Sequence, residues 1–227
     1  MGSCLSKPQP VIPKKQEVEE QTVSTIEHFP TLRRQKDMKV EEEKFTHSNE
    51  NSNWLTIVFD PNITSGISKI EVLNIKNLEA VGIADESVMF YEGEWPWARG
   101  MGRIIFYGNK GELKHQGAAI TGNQSFLDGG RVALEINMDS QPRTLTLFVN
   151  DEEQPNYIIN IPSSAFLNEK GSSFKINKFN HLSKPTAKHT EFSKINEWGK
   201  VWQEEKQAWD NTDGNQASST SIGLTKQ

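Results

Sequence analysis

The chain has 227 residues, of which 34% are apolar and 24% are charged, and it carries a net charge of -5 with an isoelectric point near 5.6. This acidic balance, without a cluster of basic and aromatic residues, predicts no binding to nucleic acid. A mean hydropathy of -0.64 is too polar for a chain that folds from end to end, so we expect one domain with unstructured flanks.

The single cysteine and the absence of long apolar runs set further limits. One cysteine excludes an internal disulfide framework and a cysteine-based zinc site. No run of about 18 or more apolar residues occurs, so no transmembrane helix is predicted. The N-terminus lacks the apolar stretch of a secretory signal. We therefore expect a protein of the cytosol or of the cytoplasmic face of a membrane.

Residues 1–7 match an acylation motif. Removal of the initial methionine exposes Gly2, and Ser6 completes the pattern M-G-x-x-x-[ST] of N-myristoylation. One acyl chain binds a membrane only marginally, and palmitate on Cys4 would supply the second anchor. The motif predicts attachment to the cytoplasmic face of a membrane, with the plasma membrane as the first expectation. The alternative is a chance or cloning-derived Gly-Ser with an idle thiol.

Residues 8–53 are rich in Pro, Lys, Glu, Gln and Asn, with few apolar residues. Such a composition does not bury enough surface to offset the entropy lost on ordering, so a disordered linker is predicted. A short helix over 31–44 is the alternative. Its apolar face would consist only of Leu32, Met38 and Phe45.

From residue 54 to residue 182, short runs rich in Ile, Val, Phe and Leu are separated by Gly, Asn and Asp, which predicts an all-β sandwich or barrel. Apolar Val132, Leu134 and Ile136 alternate with more polar neighbours, which predicts one buried and one wetter face for that strand. The predicted strands are 55–59, 67–75, 80–84, 87–91, 103–107, 112–115, 131–138, 144–149, 157–161 and 173–179.

Several segments of this region carry a family resemblance. They are AVGIA (80–84), GRIIFYG (102–108), GGRVALEINMD (129–139), RTLTLFVN (143–150), QP (154–155) and NIP (160–162). In this order they resemble a SPRY domain, in which an Arg-Thr-Leu strand is followed by a turn and a closing aromatic strand. Asp151 stands where the family usually has glycine, and Gly130 where it usually has aspartate. These residue types exchange in turns at modest cost.

The resemblance covers residues 54–182 and implies a bent antiparallel β-sandwich without an active site. It also implies that loops between strands form a shallow surface for a protein or peptide partner. A fold alone does not determine such a function.

The loop 91–100 is the candidate partner-binding segment. Tyr91, Trp95, Trp97 and Arg99 have the composition of interface hot spots, and the intervening proline stiffens the loop. The alternative is that the tryptophans close one end of the sandwich core.

No catalytic motif is present, and neither a metal site nor a cofactor is expected. Glu92 and Glu94 beside Trp95 are the only suggestion of a glycosidase pair. Acidic residues so close together in a loop are usually only solvated, so the chain is predicted not to be an enzyme.

Residues 183–210 are predicted to form a linker and an amphipathic helix that begins at Thr190. One stripe of this helix would carry Phe192, Ile195, Trp198, Trp202 and Trp209. The helix would pack on the sandwich, bind a partner or contact a membrane, although its acidic balance disfavours the membrane. Residues 211–227 are predicted to be disordered.

These patterns together predict a lipid-anchored, non-enzymatic adaptor that recognises a protein or peptide at a membrane surface. One alternative is a carbohydrate or small-ligand binding module in which Trp95 or Trp97 stacks on a sugar ring. Another is a structural membrane-skeleton protein that self-associates through the tryptophan-rich helix. The oligomeric state stays open.

Overall fold

The computed structural model describes residues 21–32, 37–48, 55–91, 98, 100–162 and 165–203. These residues form a mainly antiparallel β-structure, in which a short 3-10 helix, Met101–Arg103, precedes the strand Ile104–Gly108. The strands are β1 (Val23–Thr25), β2 (Phe29–Leu32), β3 (Met38–Glu41), β4 (Lys44–His47), β5 (Ile57–Ile63), β6 (Ile67–Ala84), β7 (Ile104–Gly108), β8 (Leu113–His115), β9 (Ala118–Ile120), β10 (Arg131–Asn137), β11 (Thr144–Val149), β12 (Glu152–Glu153), β13 (Asn156–Ile159), β14 (Ala165–Leu182) and β15 (Lys194–Glu197).

Two long strands, β6 and β14, organise the fold. They pair antiparallel along their whole length, from Ile67 opposite Leu182 to Ala84 opposite Phe166. The register between them shifts at three places in the middle part of β14, at 170/171, 173/174 and 176/178. Such bulges bend a strand and increase its twist, so the two ends of the β6–β14 ribbon enter different layers.

Each end of this ribbon is the centre of one layer. In the first layer, β6 pairs with β10, which is followed by β11, β13 and β15, while β1 pairs with β14. In the second layer, β6 pairs with β7, which is followed by β8 and β9, while β14 pairs with β5 and then β2. The β3–β4 hairpin pairs with the middle of β14. The expected bent antiparallel sandwich is thereby confirmed.

The main core lies between the two layers. Leu134 and Leu147 of the first layer and Ile83 and Ile105 of the second belong to one cluster of buried residues. Successive side chains of a strand point to opposite faces, so the alternating apolar residues of β10 and β11 turn inward. The prediction that Val132, Leu134 and Ile136 form the buried face of their strand is therefore confirmed.

The other face of β10 is not the wetter face that the alternation predicted. Ala133 is 5% exposed and Glu135 only 1% exposed. Residues 184–190 cross this outer side of the first layer and cover it. Hydrogen bonds to Glu135 attach this segment to β10. Glu135 accepts them from the backbone N–H groups of Thr186 and Ala187, each at about 3.0 Å, and from the Thr186 hydroxyl.

A second carboxylate and a histidine extend this attachment. Glu153 accepts hydrogen bonds from the backbone N–H groups of Lys188, at 2.6 Å, and His189, at 2.9 Å. The His189 ring is hydrogen-bonded to the Thr146 hydroxyl at 2.8 Å and stacks on Tyr157 with ring centroids 3.9 Å apart. Residues 183–203, which we call the C-terminal segment, are thus an integral part of the sandwich.

The prediction of a disordered linker over 8–53 is wrong for its described part. Strands β1 to β4 fall within it, and the alternative helix over 31–44 is likewise absent, since β2 and β3 occupy its described residues. Three apolar residues of these segments, Ile26, Met38 and Phe45, are buried in the core, whereas Val23, Phe29 and Val40 are exposed. Phe45 stacks on Phe174 with centroids 4.9 Å apart. Residues 8–20, 33–36 and 49–53 lie outside the described residues.

The predicted helix from Thr190 is absent over residues 190–203. Strand β15 forms there instead and pairs in parallel with β13. The Lys194 N–H donates to the Pro155 carbonyl at 2.7 Å, and the Trp198 N–H donates to the Ile159 carbonyl at 3.0 Å. These bonds to a neighbouring strand replace the bonds within a helix, because tertiary context overrides a weak local preference. Trp209, at the end of the predicted helix, lies outside the described residues.

Smaller differences concern single strands. The predicted strands 67–75 and 80–84 are one strand, β6, whereas predicted strand 87–91 is a loop. Strands β9 and β12 were not predicted. Across the ranges that the structure describes, no helix combines the length and apolarity needed to cross a bilayer.

Candidate functional site

The loop 91–100 is described only at its two ends, with Ala98 between them. Tyr91 is 52% exposed. Trp95, Trp97 and Arg99 lie outside the described residues, as do the predicted lipidation residues Gly2 and Cys4. The site is therefore described from the segments on either side of this loop, 85–91 and 100–108.

Both segments lie on the outer side of the second layer. On β7, Ile105 and Tyr107 face the main core, so Ile104 and Phe106 face outward. They are nevertheless buried, because the loop that follows β6 folds over them and packs its own apolar side chains there. We call this separate group the outer cluster: Ala84, Val88, Phe90, Ile104 and Phe106, with Val58 and Ala80 partly buried against it.

Hydrogen bonds hold the loop 85–90 in place. Asp85 donates its N–H to the Arg103 carbonyl at 2.9 Å, and its carbonyl accepts from the Val88 N–H at 3.0 Å. The Asp85 carboxylate accepts from the Ser87 N–H at 2.9 Å, and the Arg103 guanidinium donates to the Ser87 hydroxyl at 3.1 Å. The turn is thus fixed to the start of β7, which positions Val88 and Phe90 on the outer cluster.

Large apolar side chains remain exposed around the outer cluster. Met89 and Tyr91, which flank buried Phe90, are 54% and 52% exposed. Met101, at the other end of the loop 91–100, is 45% exposed. Tyrosine and methionine are enriched at protein interfaces, and exposed apolar groups of this size beside a cavity are typical of interaction sites.

Two cavities open beside the outer cluster. The Met101 cavity has a volume of about 260 Å³, and the Asp60 cavity has a volume of about 230 Å³. The Met101 cavity is lined by Met101, Ile104, Phe106, Lys114, His115, Gln116 and Gly117. The Asp60 cavity is lined by Thr31, Thr56, Val58, Asp60, Glu86, Val88, Met89 and Phe90.

His115 connects the Met101 cavity with the C-terminal segment. Its Nε2 accepts a hydrogen bond from the Gly199 N–H at 2.9 Å, so the proton is on Nδ1, which donates to the Ile104 carbonyl at 2.9 Å. Trp198 and Trp202 each place their ring centroid 5.0 Å from that of His115. Burial lowers the pKa of His115, because desolvation disfavours the charged ring. The neutral imidazole is therefore the form that fits this site.

The predicted face of Phe192, Ile195, Trp198 and Trp202 is divided in two. Phe192 is 78% exposed and Ile195 is 61% exposed, whereas Trp202 is buried in the main core and donates its indole N–H to the Glu197 carbonyl at 2.9 Å. Trp198 packs against the same core. A common interaction face of these four residues is therefore absent.

No protein-family model and no curated protein matches the chain. Among solved structures, the chain is similar to the SPRY domain of human HERC1, with 16% sequence identity and a TM-score of 0.46 over 66% of this chain and 94% of that chain. It is similar to a human SPRY domain, with 14% identity and a TM-score of 0.47 over 65% and 94%. It is also similar to the TRIM65 PSpry domain, with 10% identity and a TM-score of 0.49 over 62% and 83%.

All three are SPRY domains. Likenesses at these identities and TM-scores carry no information about what this chain binds. Its function must therefore be inferred from its own surface.

Within the described part of the chain, no group of three or more His, Cys, Asp or Glu side chains is arranged to hold a metal ion. Glu92 and Glu94, the carboxylates weighed as a glycosidase pair, lie outside the described residues. Met89 and Met101 were not predicted as site residues. Their positions in the sequence point to them, since Met89 lies two residues before the loop that was predicted to bind and Met101 directly follows it.

Proposed function

We propose that this protein is a non-enzymatic interaction adaptor that binds a protein or peptide on the outer side of the second layer. The observation that carries the proposal is the group of exposed Met89, Tyr91 and Met101 around the buried outer cluster, with a cavity on each side. Large exposed apolar side chains cost solubility unless a partner covers them.

The fixed backbone of the site supports the same proposal. The loop 85–90 is tied to Arg103, and the Met101 carbonyl accepts a hydrogen bond from the Gln116 N–H at 2.9 Å. A partner therefore binds a surface that is already ordered, so little conformational entropy is lost on binding. The resemblance of the sequence to SPRY domains agrees with a surface made by loops between strands.

Charge reversal at the surface tests the binding function. We expect the double variant Tyr91→Glu/Met101→Glu to label its partners at least about tenfold less than the unsubstituted protein does. The reason is that two charges would be buried against an apolar partner. The control is Leu127→Glu, which places a charge at a residue that is 72% exposed and outside the outer cluster. Labelling in cells followed by quantitative mass spectrometry gives the measurement. An unchanged partner set in the double variant would show that partners bind elsewhere or not at all.

We further propose that the adaptor is attached to a membrane by myristate on Gly2 and palmitate on Cys4. Gly2→Ala removes the myristoylation site, and we expect most of the protein to move to the soluble fraction. Cys4→Ser is expected to weaken retention while leaving myristate in place, because one acyl chain gives only marginal binding.

Fractionation of cells that express each variant is the measurement, with Pro8→Ala as a control just outside the motif. Labelled myristate that is incorporated into Cys4→Ser but not into Gly2→Ala, and labelled palmitate that is lost in Cys4→Ser, would assign each acyl chain to its residue. Retention of both variants in the membrane fraction would rule out this mode of attachment and would leave the binding proposal untouched.

A further inference from the structure

The Asp60 cavity combines apolar walls with an acidic rim. Thr56, Val88 and Phe90 are 8%, 7% and 9% exposed and form its buried part. Asp60 and Glu86 line the same cavity and are exposed. Any group that enters the cavity thus contacts aliphatic and aromatic carbon below and two carboxylates at the opening.

The two carboxylates are not neutralised by a cation in the described part of the chain. Asp60 accepts a hydrogen bond from the Thr31 hydroxyl at 3.1 Å, and Glu86 accepts one from the Asn62 amide at 3.4 Å. Both donors are neutral, and no described lysine or arginine forms an ion pair with either carboxylate. The Asn62 side-chain oxygen, beside Glu86, is buried and accepts no hydrogen bond from a described residue. Counted over the described lining residues, the rim therefore has an excess of hydrogen-bond acceptors and of negative charge.

The volume of the cavity limits what it can hold. Pockets for small molecules usually measure about 300 to 1,000 Å³, so a cavity of about 230 Å³ suits one side chain better than a whole ligand. Lysine and arginine have a long apolar stem and a cationic end that donates only. The stem matches the walls formed by Val58, Val88 and Phe90, and the cationic end reaches Asp60 and Glu86.

We infer that the Asp60 cavity receives a lysine or arginine side chain of the bound peptide, next to apolar residues that cover Met89 and Tyr91. This inference rests on the proposed function, because it concerns the same surface and names the chemistry of its partner. A charge-assisted hydrogen bond is about twice as strong as one between neutral groups, and complementary charge favours the correct partner over others. A peptide with an acidic residue at that position is excluded by repulsion from both carboxylates.

Selection from a random peptide library displayed on phage tests the inference with the full chain immobilised. We expect the selected peptides to share one lysine or arginine beside apolar residues. A synthetic peptide from the selection should bind Asp60→Asn/Glu86→Gln at least about tenfold more weakly, and its affinity for the unsubstituted protein should fall as salt is raised. The matched control is Glu152→Gln/Glu191→Gln, which changes net charge equally at two exposed residues outside the cavity. Thermal unfolding verifies that each variant is folded.

The outcomes separate the two proposals. Selected peptides that lack a shared basic residue, or that bind the Asp60 and Glu86 variant as well as the control, would overturn this inference. If such peptides still fail to bind Tyr91→Glu/Met101→Glu, the proposed function stands. A library that yields no binding peptide, or only peptides indifferent to Tyr91→Glu/Met101→Glu, would overturn the proposed function and this inference with it.

Discussion

Replacing Glu135 with alanine is expected to lower the free energy of unfolding by about 3 kcal/mol, since removal of one partner from a buried charge pair leaves the other uncompensated. Glu135 is 1% exposed, and its carboxylate lies 3.6 Å from the Lys69 ammonium. Burial already lowers the pKa of Lys69, so its charge depends on the nearby carboxylate. The substitution also removes the acceptor for the backbone N–H groups of Thr186 and Ala187.

Urea denaturation of the full chain measures this loss, and Glu152→Ala is its control because Glu152 is exposed. A surface change of that kind is expected to stay within about 0.5 kcal/mol. Glu135→Gln keeps one acceptor oxygen and should lose less stability than alanine. Hydrogen exchange should rise first at residues 184–190, because their attachment to the sheet is what the substitution breaks. Equal stability of Glu135→Ala and Glu152→Ala would contradict the role of this carboxylate.

The central strands were the part of the fold that the sequence predicted well. At β10 and β11 the apolar alternation and the turn between them are local features, and both strands lie within one residue of their expected bounds. Such strands can be predicted from sequence because apolar side chains recur at every second residue of a half-buried strand. The same rule failed to predict that Glu135 is buried, since the covering segment lies about fifty residues further along the chain.

The N-terminal strands were missed because their composition resembles that of a disordered segment. Stretch 38–47 holds only three large apolar residues between charged ones. Phe45 lies opposite Phe174 of β14, more than a hundred residues away, and Met38 lies on the strand that pairs with the Phe45 strand. No window of sequence contains that partner. Composition alone therefore underestimates order wherever a short hairpin completes the edge of a distant strand.

The assignment of the loop 91–100 as the binding segment rests on its aromatic residues and stays a prediction. Of the predicted binding residues in this loop, the structure describes Tyr91, which is exposed. Met89 and the Asp60 cavity depend on how the loop 85–90 folds over Ile104 and Phe106. This arrangement follows from hydrogen bonds between Asp85 and Arg103, which no sequence motif indicates. The proposed acylation of Gly2 and Cys4 is different in kind, because enzymes recognise acylation motifs as linear sequences, which need no fold.

Trp202→Ala is expected to lower the free energy of unfolding by about 3 kcal/mol, the usual cost of removing a large aromatic side chain from a core. Trp202 is 7% exposed, belongs to the main core cluster and places its ring centroid 5.0 Å from that of His115. Its loss would open a void beside a buried histidine and weaken the contact of Gly199 with His115. Urea denaturation gives the stability, and hydrogen exchange over 194–203 reports the attachment of the C-terminal segment.

Phe192→Ala is the decisive control, because the predicted helix and the observed strand assign it opposite effects. On an amphipathic helix packed against the sandwich, Phe192 and Trp202 would share one buried face, and both substitutions would cost several kcal/mol. In the arrangement with β15, Phe192 is 78% exposed, and its substitution should change stability by less than about 0.5 kcal/mol. A large loss of stability in Phe192→Ala would therefore support the predicted helix. A loss of stability confined to Trp202→Ala would identify the parallel strand as the element that brings Trp202 into the core.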